Sequence, residues 1–144
     1  MNIDVLNKIK KVFLFERKKI QDKYNRVLSI GDYISDRREK AKYLGFGEGT
    51  TVYDNVLILG SVEVGENTWI GPNVVLDGSG GLIIGSNCSI SAGVQIYSHD
   101  SINWAISGGK EKKIYDNTVI GNNCYIGPNV IIQKGITIGD NCII

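Results

Sequence analysis

Among the 144 residues there are only two prolines, one methionine, one histidine and three cysteines. Three thiols cannot all pair with one another, so a disulfide scaffold is excluded and a reducing, cytoplasmic setting is the expectation. No apolar run approaches the ~20 residues that a helix needs to cross a bilayer. Lys8, Lys10 and Lys11 interrupt the apolar residues of the N-terminal stretch, which therefore does not read as a secretory signal. A large charge of one sign is missing too. The formal net charge is +1, which leaves no electrostatic footprint for nucleic acid.

Glycine is abundant, at 18 residues on a 42% hydrophobic background, and the length suits one domain. Charge divides the chain. Residues 1–42 hold 12 basic and 6 acidic residues, a net +6, whereas the remainder holds 4 basic and 9 acidic, a net −5. Two structural units are expected, residues 1–45 and residues 46–144. Residues 1–28 predict a helix, because Leu6, Ile9, Phe13, Ile20, Tyr24 and Val27 share one face at helical spacing. Gly31 and Asp32 should break it. A second short helix is expected from Ser35 as N-cap through Lys42, with Gly45 ending it.

From Phe46 the apolar period becomes six. Phe46, Val52, Ile58, Val64, Ile70 and Leu76 keep one register, which slips by two residues at Gly80 and Gly81. Ile84, Ile90 and Ile96 continue it, and Ile120, Ile126, Ile132, Ile138 and Ile144 resume it after a gap. Neither an α-helix nor a single strand has this period, so it marks a solenoid. Four places after the aliphatic residue comes a second apolar side chain: Val74, Cys88, Val94, Cys124, Val130, Ile136 or Cys142. The expected unit is a short strand plus a corner, three to a coil, with Gly, Asn and Asp at corners that need φ > 0. Cys124 and Cys142 should then stack inside as core filler, and none of the three thiols is expected to act as a nucleophile. Residues 99–116 leave the register and predict a protruding loop, with the lone histidine, His99, at its root.

The hexads IGPNVV, IGSNCS, IGNNCY, IGPNVI and IGDNCI resemble those of the hexapeptide-repeat acyltransferases. The stretch GVQIYSHD, its irregular loop and the following VIGNNCYIGPNVIIQKGITIGDN are similar to sugar O-acetyltransferases of the maltose and galactoside type and those serving surface polysaccharides. This resemblance implies a left-handed parallel β-helix, mainly β, with a short α-helical N-terminal segment. It implies transfer of an acetyl group from acetyl-CoA to a sugar or glycan hydroxyl in polysaccharide biosynthesis, with His99 as general base and no metal. A thioester is already activated, whereas a hydroxyl needs its proton removed, and imidazole ordinarily titrates near neutrality.

The resemblance also implies a homotrimer with active sites between subunits. Asp100 would orient His99. Trp104 would cover the acceptor or the pantetheine arm, and Tyr125, Gly127 and Pro128 would line the acetyl-CoA groove. The family's acceptor-binding asparagine falls at Gly71, with Asn73 nearby, and Asp77 is a further sugar ligand on that stretch. Family members usually continue beyond the final IGDNCII, so a shortened C-terminus is the expectation. The basic N-terminal helix suggests either packing or a peripheral contact with an anionic membrane, which would suit a lipid-linked glycan acceptor. Other readings stay open: acyl transfer to the amine of an amino sugar, and a non-catalytic trimeric module. A zinc enzyme of the three-histidine type is disfavoured by a single histidine.

Overall fold

The computed structural model describes residues 3–144. They form two compact units, one up to Asp36 and one from Arg37 onward. The first unit contains α1 (Ile3–Tyr24) and the one-turn α2 (Gly31–Ile34). Residues 1 and 2 of the helix expected over 1–28 lie outside the described residues. That helix stops at Tyr24 because Asn25 turns left-handed at φ 52 while its N–H donates to the Gln21 carbonyl at 2.8 Å. Gly31 and Asp32 do not break helical structure but open α2. Ser35, expected to cap the next helix, closes this one instead, its N–H donating to the Gly31 carbonyl at 2.8 Å. Phe13 meets Tyr33 edge-on, with ring centroids 5.5 Å apart. Three of the basic side chains of α1 are answered locally by Lys8–Asp4, Lys18–Asp22 and Lys19–Glu16 pairs.

The second unit opens with α3 (Arg37–Tyr43), whose Ala41 is buried. The chain leaves it through Gly45 at φ 74, and the Phe46 N–H donates to the Ala41 carbonyl at 3.0 Å. The Lys40 ammonium donates to the carbonyls of Tyr53 and Asp54 at 3.0 and 2.6 Å, tying α3 to the first coil.

The coils that follow consist of β1 (Thr51–Val52), β2 (Leu57–Val64), β3 (Trp69–Ile70), β4 (Val75–Ile84), β5 (Ser89–Ile90), β6 (Gln95–Ile96), β7 (His99–Asp100), α4 (Ile102–Ile106), β8 (Ile114–Tyr115), β9 (Thr118–Ile120), β10 (Tyr125–Ile126), β11 (Ile131–Ile132) and β12 (Thr137–Ile138). Apart from the β7–β8 pair, every ladder is parallel, and the fold is a parallel β-helix. One side is the sheet β1-β3-β5-β10. The other two sides are joined in one six-stranded sheet because β2 and β4 run unbroken around the corner between them.

Period six becomes architecture through this register. Thr51 pairs with Trp69 and Leu57 with Val75, each 18 residues on, so one coil takes three hexads. All seven non-glycine residues at positive φ among the described residues are asparagines. Six of them lie in the coils, from Asn67 to Asn141, where an asparagine tolerates the left-handed turn that a corner requires. The aliphatic ladder fills the interior. Val52, Ile70, Ile90 and Ile126 on one side, and Leu76 and Ile96 on the next, are completely buried. Ile144 departs from the expected ladder at 48% exposure.

Ile126→Ala should therefore cost about 2–5 kcal/mol, the usual range for such a truncation, and Ile126→Val about 0.5–1.5 kcal/mol. Denaturant unfolding of the two variants checks both the size and the order.

Candidate active site

The site lies at the corner shared by the two continuous sides. Here the ladder changes register. Leu57 through Gly60 pair 18 residues ahead, whereas Val62 through Val64 pair 20 ahead, with Leu82 to Ile84. The two extra residues fall in the run Asp77-Gly78-Ser79-Gly80-Gly81. Glycine is required by close approach: a Cβ on Gly78 would sit 2.0 Å from the Ser61 carbonyl oxygen, and one on Gly80 would sit 2.2 Å from that of Ser98. Asp77 stands at the start of this run, still in register with Leu59, and is completely buried.

One coil on, the chain leaves the helix at His99. β7 and β8 pair antiparallel, His99 opposite Tyr115 and Asp100 opposite Ile114, closing the base of an excursion that carries α4. The His99 Nδ1–H donates to Oδ2 of Asp77. The Ser79 N–H donates to the other carboxylate oxygen at 2.9 Å. Burial pushes the Asp77 carboxyl up, but the hydrogen bonds from Ser79 and His99 outweigh it and hold the group below its ordinary range. An ionised acceptor on Nδ1 fixes the tautomer and leaves the lone pair on Nε2, on a side chain that is 29% exposed. The Tyr115 ring stacks on the imidazole, with centroids 5.5 Å apart and planes 16° off parallel. Ser98 braces the bulge from beneath. Its buried hydroxyl donates to the Asp77 carbonyl at 2.6 Å and accepts from the Gly80 N–H at 2.8 Å.

The structure places the residues singled out in the sequence as follows. Asp77 is no sugar contact in this arrangement, because both of its oxygens are engaged inside the protein. Asp100 does not reach Nδ1 either. It accepts from the Ile102 N–H at 3.0 Å and pairs with Lys134 at 3.2 Å, and these partners, the Ile102 amide foremost, lower its pKa. Trp104 stands on α4, 48% exposed. Asn73 occupies a corner at φ 58, and its side-chain oxygen accepts from the Asn55 amide at 2.8 Å, giving it a place in the frame. Tyr125 opens β10 on the first side, with its ring exposed, and Gly127 and Pro128 follow that strand. In a three-sided coil that side is opposite the His99 corner, so one protomer does not bring the two together.

Sequence reasoning missed Ser98, Tyr115 and Lys134, and gave Asp77 another role. Asp77 precedes His99 by 22 residues. One coil plus the two-residue slip makes 20, the spacing at which Val75 and Leu76 pair with Gln95 and Ile96, so Tyr97 falls level with Asp77 and His99 two residues beyond it. The cysteines are free thiols, with Cys88 and Cys124 buried and Cys142 half-buried. Burial raises the Cys88 pKa, which suits core filler.

A hexapeptide-repeat parallel β-helix is the class that this coil and its loop-root corner define. Two family models match: a hexapeptide repeat of succinyl-transferase at residues 61–98 and the bacterial transferase hexapeptide of six repeats at 117–144. The chain belongs to the hexapeptide-repeat transferases. It is 32% identical over 110 residues to the bifunctional protein GlmU of Lactobacillus johnsonii, covering 74% of this chain and 23% of that protein. It is 29% identical over 101 residues to the galactoside O-acetyltransferase of Escherichia coli, covering 56% of this chain and 50% of that one. The chain thus spans half or less of these curated relatives. A hexapeptide-repeat acetyltransferase of Vibrio cholerae, solved in complex with acetyl coenzyme A, shares the fold with a TM-score of 0.65 at 22% identity. That match covers 94% of this chain and 74% of the other.

Because the folded pKa of Asp77 is depressed, its stabilising contribution is complete above the ordinary value of 3.8 and is lost as pH falls through the lower folded value. Wild-type stability should therefore fall in that acid window. Asp77→Asn should be less stable at neutral pH and flatter across the window, as read by thermal unfolding against pH.

Proposed function

We propose that the chain is an acetyl-CoA-dependent acyltransferase that acetylates a sugar or glycan hydroxyl, with His99 as general base. The observation that carries the reading is a part-exposed His99 whose Nδ1 is bonded to the buried Asp77 carboxylate at the root of a protruding loop. The O-acetyltransferase relative and the neighbour solved with acetyl coenzyme A support the acyl donor and the hydroxyl acceptor.

In this mechanism Nε2 accepts the proton as the hydroxyl oxygen attacks the thioester carbonyl. The tetrahedral adduct collapses to the acetyl ester and CoA thiolate, and the imidazolium returns the proton to the thiolate. The buried carboxylate stabilises that imidazolium without taking its proton. Direct attack needs no enzyme nucleophile, in keeping with thiols that sit in the core.

Acetyl-CoA is assigned to the outward surface of β10, with Tyr125, Gly127 and Pro128. The exposed Tyr125 ring supports this assignment, with Gly127 buried beside it. That surface and His99 lie on opposite sides of one coil, which supports a homotrimer with each site shared between subunits and Trp104 lent across the boundary. The acceptor is assigned to a cell-surface polysaccharide pathway, met in the cytoplasm as a sugar or a lipid-linked glycan. The helical stretch at residues 1–45 is assigned to a peripheral membrane contact that would serve such an acceptor. No helix among the described residues is long and apolar enough to cross a membrane.

His99→Ala should lower turnover about 10²–10⁴-fold, the usual worth of a general base, with the fold retained. Thiol release from acetyl-CoA over a panel of sugars and nucleotide sugars measures this, and activity near wild type would remove the mechanism.

A further inference from the structure

The loop returns to the coil through Tyr115, a residue that the proposed mechanism does not use. Three observations single it out. It is the cross-strand partner of His99 in the two-residue ladder at the base of the loop. Its ring lies on the imidazole, 5.5 Å between centroids and 16° from parallel. It is nevertheless 56% exposed, so its burial does little for the stability of the coil.

The backbone beneath this ring is fixed. The Asp116 N–H donates to the Ser98 carbonyl at 2.9 Å, and a Cβ on Gly80 would lie 2.7 Å from the Asp116 nitrogen. The glycine run that follows Asp77 thus also seats the strand that carries Tyr115. The imidazole is held at one edge by a hydrogen bond and across one face by a ring. Asp77 alone fixes the tautomer and one nitrogen, but a single hydrogen bond leaves the ring free to rock about the bond to that nitrogen. A parallel ring removes this freedom.

We propose that Tyr115 is a positioning residue for His99, stacking on the imidazole to hold the plane in which Nε2 meets the acceptor hydroxyl. The inference rests on the reading of His99 as the base. Of the charged groups near this corner, which include Asp116, Asp77 meets the ring edge at Nδ1 and Asp100 pairs with Lys134. The stack needs an aromatic ring but not a phenol oxygen, so phenylalanine should replace tyrosine here and leucine should not.

His99 is the only histidine, so its ring signals in a histidine-labelled sample are unambiguous without any bound ligand. In the wild type and in Tyr115→Phe, the imidazole carbon-bound protons should be shielded by the stacked ring, with one tautomer, protonated at Nδ1. In Tyr115→Leu the shielding should vanish. Steady-state assay with acetyl-CoA, on whichever panel sugar the wild type acetylates, should then show kcat down about 10–100-fold in Tyr115→Leu, a misplacement-sized loss. KM for both substrates should stay within about twofold and Tyr115→Phe should be near wild type. Unchanged shielding in Tyr115→Leu overturns the stack. A raised KM with kcat intact overturns positioning and makes Tyr115 an acceptor contact. If His99→Ala is inactive while Tyr115→Leu keeps full kcat, this inference fails and the base survives. If His99→Ala is active, the mechanism itself has failed.

Discussion

Everything in the second unit depends on the parallel backbone ladder that binds each coil to the next. A two-residue strand such as β5 or β10 has almost no stability alone. It persists because its amides and carbonyls are taken up by the coils on either side, and because the aliphatic column within loses water only when the coils are stacked. Such a ladder demands a nearly constant number of residues per coil. Where the count departs from 18, the chain must bulge or leave the helix, and both events occur at one corner.

That coincidence gives the site its chemistry. A regular corner turns on an exposed asparagine and offers no inward carboxylate. The glycine bulge adds two residues without widening the coil, since Gly78 and Gly80 accept carbonyl oxygens where a side chain would stand. Asp77 enters this run and is buried under His99 and the Ser79 amide. A buried carboxylate is costly unless it is answered, and the Ser79 amide and His99 answer it. The same irregularity therefore creates the need for a partner and sets the loop root where the partner stands.

The fold was legible in the sequence because a period of six admits few architectures, and the isoleucines from Ile84 to Ile96 and from Ile120 to Ile138 state it on either side of the loop. The short helices were less so. Gly31-Asp32 reads as a breaker on propensity alone, yet one helical turn needs only a carbonyl for the Ser35 amide to meet. At the site, adjacency misled. Asp100 follows His99 directly, but successive residues of a strand point to opposite faces, so the neighbour in sequence is the residue least able to touch the ring. The true partner is a coil away, and finding it takes register arithmetic rather than proximity. Tyr115 was harder still, because an antiparallel pair at the base of an irregular loop leaves no periodic trace.

One seam of the interior is polar. The hydroxyls of Thr50 and Thr68 and the thiols of Cys88 and Cys124 each point at a carbonyl of the following coil, on Gly65, Gly85, Gly121 and Gly139, at 2.7 to 3.1 Å. Threonine and cysteine are thus interchangeable here as short side chains with one proton to give. Because the thiols occupy successive coils, an alkylating reagent would read the unwinding of the solenoid in two stages: first Cys142, already half open, and later the buried Cys124 and Cys88, once their coils part.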